Sequence, residues 1–373
     1  MMKIDKFRVL FLSALFTLFC SQLIIAEPES KASSLCSSTF DSDCLKEGDA
    51  HFEAGRYSQA LSLYTELCNK NNAEACHNMG WINENGLVET ASGEVAIASY
   101  RKGCQLNYRK SCHHLAIAYE FWPMLDEPAE KVVELYSKGC DLGYANSCFN
   151  LAINYAEGDG VEQSFDEYLR LNERACVLKE ARGCEVLGDH YDDTGQMKLS
   201  LKFHLMGCEL GKAYNCQQAG WKYGYDLGEE RDYALYHKYN VMGCDMGNRA
   251  ACHNAGRMLI GYSDIKAPSF ASDKEKGLAY IMKACHKLEF AVACADAGDA
   301  YENGDGTKVD LKLSHDLQKR GCDDLEEPSS YACYGLAYIY YYGNDSFKRD
   351  KKKSKRYFKK ACDLGDEEAC KYA

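Results

Sequence analysis

Positive charge is scarce in this 373-residue chain: 44 Lys and Arg stand against 56 Asp and Glu, a formal net charge of -12. Such a surface repels nucleic acid and anionic membranes. The one basic run, "KRDKKKSKR" (Lys348–Arg356), reads as the solvated face of a helix. No C-x-x-C occurs among the 21 cysteines, nor any closely spaced pair of the kind zinc sites favour, so redox catalysis and structural zinc are not expected. An H-E-x-x-H stretch is missing as well, which removes the common zinc peptidase arrangement. Beyond the N-terminus no apolar run is long enough to span a bilayer.

The N-terminus does hold one apolar run. "MMKIDKFR" is short and weakly basic, and "VLFLSALFTLFCSQLIIA" follows it. This pattern predicts a secretory signal over residues 1–26, with Glu27 opening the mature chain. Removing Cys20 with the signal leaves an even number of cysteines. An even count in an exported chain implies a disulfide framework.

What the sequence has in abundance is a regular beat of cysteines. They fall into ten pairs: Cys36/Cys44, Cys68/Cys76, Cys104/Cys112, Cys140/Cys148, Cys176/Cys184, Cys208/Cys216, Cys244/Cys252, Cys285/Cys294, Cys322/Cys333 and Cys362/Cys370. The spacing within a pair is 8, apart from 9 at Cys285 and 11 at Cys322. From first cysteine to first cysteine the steps are 32, 36, 36, 36, 32, 36, 41, 37 and 40. A period near 36 is that of helical solenoids.

The stretches between pairs explain the period. In "CFNLAINYAEGDGVEQSFDEYLRLNERAC", Leu151, Ala152 and Tyr155 stand 3, 4 and 7 residues after Cys148, one stripe of a helix. Leu115, Ala116 and Tyr119 repeat the stripe, as do Leu336, Ala337 and Tyr340. "EGDG" ends this first helix, and a second helix such as "AEKVVELYSKGC" (Ala129–Cys140) leads to the next pair. Eight residues of continuous helix rise about 12 Å, whereas disulfide-bonded Cα atoms lie within about 7 Å. The chain must therefore turn inside each pair, and "DLG" at Asp141–Gly143 supplies a glycine for the turn. Each bond would join the second helix of one unit to the first helix of the next.

The expected fold is thus all-α: a right-handed, TPR-like αα-hairpin repeat solenoid with one disulfide per repeat junction. A cap segment over residues 27–43 would precede nine hairpins over 44–361, and residues 362–373 would close the array. The motif "SCFNLAINYAEGDGV" (Ser147–Val161), with "AC" and "GC" endings such as Gly139–Cys140, resembles the Sel1-like repeat family. Within it, the chain is similar to the cysteine-rich branch known from Helicobacter cysteine-rich proteins. That resemblance implies an exported solenoid, and for some relatives penicillin binding with weak β-lactamase activity.

Serine β-lactamase chemistry needs S-x-x-K with further S-D-N and K-T-G elements. "SYRK" (Ser99–Lys102) and "SDIK" (Ser263–Lys266) match the first alone, and the other two are absent. Ser263 with Lys266 is the better candidate pair, because Ser99 falls in a repeated second helix. His77, His113, His114 and His253 follow cysteines at the start of first helices and read as satisfied or solvated. The acid pairs Asp192/Asp193 and Asp323/Asp324 read as surface faces.

Insertions at Glu120–Pro128, Tyr262–Glu275 and Asn344–Ser354 depart from the repeat, and such insertions gather on one edge of a solenoid. Candidate ligand contacts are the aromatics off the core stripe: Trp122, Trp221, Tyr225, Tyr341 and Tyr342. The expected function is an exported, monomeric scaffold without catalysis, cofactor or metal, placed in the periplasm or secreted. Its expected partner is another exported protein, a peptide or a peptidoglycan fragment, with no nucleic acid and no stable membrane insertion.

Overall fold

Turn chemistry at the cysteine pairs decides where each second helix stops. At Cys140 the backbone N–H of Gly143 donates to the Cys140 carbonyl and that of Tyr144 to the Gly139 carbonyl. This places Gly143 at φ 81°, a left-handed conformation that glycine adopts without a Cβ penalty. Where the glycine is replaced, Asn71, Asn107, Lys179 and Glu289 hold positive φ at the same place in the repeat. Asparagine tolerates that region, while lysine and glutamate do so at a cost of about 1 kcal/mol.

These turns divide the chain into alternating helices in a computed structural model that describes residues 41–122, 127–226, 231–262 and 272–373. First helices are α1 (Asp41–Glu53), α3 (Ala73–Glu84), α5 (Arg109–Phe121), α7 (Ala145–Glu157), α9 (Ala181–Asp193), α11 (Ala213–Trp221), α13 (Arg249–Ile260), α15 (Ala291–Asn303) and α17 (Ser330–Tyr342). Second helices are α2 (Tyr57–Asn69), α4 (Gly93–Gln105), α6 (Ala129–Asp141), α8 (Phe165–Val177), α10 (Met197–Glu209), α12 (Tyr233–Asp245), α14 (Lys274–Lys287), α16 (Leu311–Lys319) and α18 (Lys351–Asp363). The short α19 (Glu367–Cys370) follows. Two π-helical turns, Lys222–Asp226 and Arg320–Asp324, extend α11 and α16. No strand occurs among the described residues, and the architecture is the all-helical repeat solenoid that the spacing predicts.

Disulfides sit at the junctions. Among the described residues they are Cys68–Cys76, Cys104–Cys112, Cys140–Cys148, Cys176–Cys184 and Cys208–Cys216, then Cys244–Cys252, Cys285–Cys294, Cys322–Cys333 and Cys362–Cys370. These are the pairs that the spacing predicts. At Cys140–Cys148 the Cα atoms are 4.6 Å apart, far inside the rise of a straight helix of that length. The longer intervals at Cys285–Cys294 and Cys322–Cys333 keep the same closeness, 4.7 Å in each, so the extra residues enlarge the turn and not the gap. Each bond ties the end of a second helix to the start of the following first helix. Cys44 is also disulfide-bonded, and its expected partner Cys36 lies outside the described residues.

The stripe at offsets 3 and 4 packs as the periodicity predicts. Leu115, Ala116, Leu151, Ala152, Leu336 and Ala337 are all buried. Small residues at offset 4 admit a large side chain from the second helix. A Cβ added at Gly80 would stand 2.6 Å from the Tyr100 ring, and one at Gly48 would stand 2.7 Å from the Tyr64 ring. The glycine of the turn after α7 has a second use. Gly160, at φ 72°, lies against the backbone of Ala129 at the start of α6, where a Cβ would meet the carbonyl at 2.5 Å.

Successive first helices approach one another closely, α3 with α5, α11 with α13 and α15 with α17. No two successive second helices come as near among the described residues. The first helices therefore line the inner side of the curve and the second helices its outer side.

Candidate functional site: a ladder along the first helices

With offsets 3, 4 and 7 turned to the core, residues at offsets 2, 5 and 9 from each second cysteine fall on the opposite stripe of the same helix. That stripe faces the inner side of the solenoid. Read at offset 5, it runs Asp49, Trp81, Ile117, Ile153, Asp189, Trp221, Arg257, Asp299 and Tyr338. The offset-4 slot is glycine or alanine in every unit, while this stripe changes chemistry along its length.

Its N-terminal part is aromatic and aliphatic. Trp81 meets Phe52 edge-on at 5.2 Å, and Ile117 and Ile153 follow. Phe121, nine residues after Cys112, is 61% exposed. At the centre, Asp189 accepts a hydrogen bond from the Tyr214 hydroxyl at 3.0 Å. Burial, opposed by that bond and reinforced by Glu185, Asp192 and Asp193, pushes the Asp189 carboxyl up to about 6. Next along, Trp221 stacks on Tyr225 with ring centroids 4.1 Å apart. The π-helical turn holds this pair: it buries Lys222, whose ammonium binds Asp192 at 2.5 Å, and leaves Trp221 exposed beside a half-buried Tyr225.

Beyond it lies a polar knot. Buried Asp296 accepts from the Arg257 guanidinium at 2.9 Å and lies 2.7 Å from His253 Nε2. Asp299 accepts from the Tyr331 hydroxyl at 2.5 Å and from the Gln318 amide at 2.8 Å. Burial drives the Asp299 carboxyl up to about 6, with Asp296 and Glu302 adding to the rise and its two donors opposing it. Tyr338 and Tyr342 close the stripe with centroids 4.5 Å apart, and Tyr342 is 63% exposed.

The structure thus brings Trp221 and Tyr225 together, and Tyr341 within 4.8 Å of Tyr342. Tyr341 itself lies under Arg349, toward α18 rather than along the ladder. Trp122 stands apart, half-buried against the core beside Gly93. Ser263 and Lys266 lie outside the described residues. Ser99 is buried in α4 with its hydroxyl donating to the Val95 carbonyl at 2.6 Å, so it is not the surface residue that its place in a second helix suggests.

The histidines are packing groups. His77 and His113 are buried among Tyr100, Tyr108, Tyr136 and Tyr144, and burial pushes both down to about 3. They stay neutral at physiological pH and carry no proton traffic. Among the described residues, no group of three His, Cys, Asp or Glu side chains converges as a metal site. The ladder residues Trp81, Asp189, Arg257, Asp299 and Tyr338 escape a search by composition. Counting five from each second cysteine finds them.

A disulfide-stapled αα-hairpin solenoid with a chemically varied inner stripe defines a class of repeat scaffold. The Sel1 repeat family model matches residues 73–108, 145–167, 291–323 and 330–366. Among solved structures the chain is similar to c5321, a protective antigen of uropathogenic Escherichia coli with an SLR fold, at 17% identity and a TM-score of 0.66. That match covers 91% of this chain and 72% of the other. A Sel1 repeat protein from Oxalobacter formigenes is similar at 16% identity and a TM-score of 0.55, over 95% of this chain and 96% of that one. The Helicobacter pylori cysteine rich protein B shares 22% identity over 40% of this chain and 99% of its own, with a TM-score of 0.30. No curated protein matches the sequence. Sel1 repeats generally serve protein–protein interaction, and the many disulfides suggest an oxidising compartment, periplasmic or extracellular.

Proposed function

We propose that this protein is an exported, monomeric scaffold that binds another exported protein, a peptide or a peptidoglycan fragment along its inner stripe, without catalysis of its own. One observation carries the reading: the offset-5 stripe mixes acids, a base, aromatics and aliphatics from unit to unit, while the offset-4 slot of the same helices is glycine or alanine in every one. Packing alone would not require Trp221 to stand exposed on the Tyr225 ring, or Asp189 and Asp299 to sit where burial opposes their charge. Stacked aromatics give a rigid anchor at low entropic cost. Acids along the stripe favour a basic segment on the partner.

Photo-crosslinking in the producing cell tests the idea. A crosslinking residue at Trp221 or Ile153 is expected to trap a partner, whereas one at Lys202 on outer helix α10 is not. Replacing Trp221 and Tyr225 by alanine is expected to weaken capture at Ile153 by about tenfold or more. Equal capture from both faces would sink the proposal.

A further inference from the structure

The C-terminal end of the solenoid inverts the charge of the rest. Residues 348–360 hold nine Lys or Arg and one Asp, a charge of +8, so the remainder of a chain of net charge -12 carries -20. Structure changes the reading of this run as a merely solvated face. Lys351, Lys352 and Lys355 are exposed on α18, and no carboxylate among the described residues pairs with them. The acid at the start of the run, Asp350, is spent on capping the helix, accepting from the backbone N–H groups of Lys352 and Lys353. Lys359 and Lys360 do have partners, Asp363 and Asp323.

Two further features point to a ligand. Arg349, Lys351 and Lys355 ring a cavity of about 260 Å³ whose walls are Tyr341, Phe358 and Tyr372. Ser354, 2% exposed, lines the same cavity, and its hydroxyl has no hydrogen-bond partner among the described residues. Beside this end, Tyr338, Tyr342 and Tyr372 are about half exposed. Cations around a donor-lined cavity suit a phosphate ester, and tyrosines beside them suit the boundary between headgroup and acyl chain.

We propose that this end of the solenoid docks onto a membrane surface of anionic phospholipids, with one headgroup phosphate in the cavity. The anionic remainder does not prevent it. Screening acts over about 8 Å at physiological salt, and each stacked helix layer adds about 10 Å, so α18 meets the surface with only its nearest units. Repulsion of the rest then orients the solenoid end-on, leaving the inner stripe clear of the lipid.

Sedimentation of the mature chain with phosphatidylcholine vesicles, containing or lacking phosphatidylglycerol, tests this. Binding is expected only with phosphatidylglycerol, and it should fall as salt rises from about 0.05 M to about 0.5 M. The variant Lys351→Gln/Lys352→Gln/Lys355→Gln should bind on the order of a hundredfold less. The equal-charge control Lys110→Gln/Lys202→Gln/Lys312→Gln should bind as the unaltered protein does, with circular dichroism confirming that both fold. No binding, binding to neutral vesicles, or an unaffected α18 variant would overturn the proposal. Self-association at low salt that the α18 variant abolishes, without vesicle binding, would assign the helix to a second copy instead. Trp221→Ala should leave vesicle binding unchanged, so this test and that of the inner stripe fail independently.

Discussion

Two carboxylates on the inner stripe are ionised at neutral pH at a cost that the unfolded chain does not bear. Asp189 and Asp299 have folded-state values near 6 against an ordinary 3.8, with burial the leading cause in each. The folded chain therefore binds their protons more tightly than the unfolded chain does. Their favourable contribution is complete below about pH 4 and is lost as pH rises through about 6. Glu84, Asp305 and Asp323 shift the other way, so the difference between variant and unaltered protein is the useful quantity. Asp189→Asn and Asp299→Asn are each expected to stabilise the oxidised protein at about pH 7 by on the order of 1 kcal/mol, allowing for partial exposure, and to be nearly neutral at about pH 4. Urea unfolding at the two pH values measures this, and a loss of stability at neutral pH would contradict it. A basic group on a partner would relieve the same strain, which links the acids to binding.

Between elements, the governing contact is a glycine of the first helix under a large side chain of the second. Helix propensity alone says that Gly80→Ala stabilises by about 1 kcal/mol. Packing says the reverse, because the new methyl would stand 2.6 Å from the Tyr100 ring, whose hydroxyl is fixed on Glu84 at 2.5 Å. Overpacking of this kind costs about 1–3 kcal/mol, so destabilisation is the expected sign, read from the urea midpoint. Most of this architecture is legible in the sequence. The cysteine beat, the stripe at offsets 3, 4 and 7 and the turn glycines are all forced by burial or by backbone sterics, so they leave a repeating mark. Tyr64, Tyr100 and Tyr136 share one slot with Asn172, His204 and Asn240, and a slot that changes type hides from a search for apolar periodicity. The inner stripe is harder still, since nothing in the core constrains it. Trp221 and Tyr225 stand out as rare aromatics off the core stripe, whereas Asp189 and Arg257 look like any surface charge until the first helices are stacked.

Across the whole molecule the apolar core is not continuous. One run of packed side chains extends from Ala96 to Ala175, and another from Cys244 to Leu317. Between them lies a small cluster around Leu187 and Phe203. The buried positions of this middle region also include Ser200, His204, Asn215, Lys222 and Asn240. Polar groups repay less on burial than apolar ones. The central hairpins should therefore open most readily, and their amides in α10–α12 are expected to exchange about tenfold faster than those of α4–α7 in native-state hydrogen exchange. Uniform protection along the array would refute this. The disulfides bear on assembly in a different way. In seven of the nine whose two cysteines both lie among the described residues, the joined residues are only 8 apart in sequence, whereas Cys148 and Cys176, neighbours from adjacent pairs, are 28 apart. Loop closure in the unfolded chain favours the nearer partner by about 1 kcal/mol. In a chain delivered N-terminus first, the first cysteine of each of these pairs meets its correct partner as the next one to emerge, so pairing can keep pace with delivery and errors need not be unscrambled afterwards.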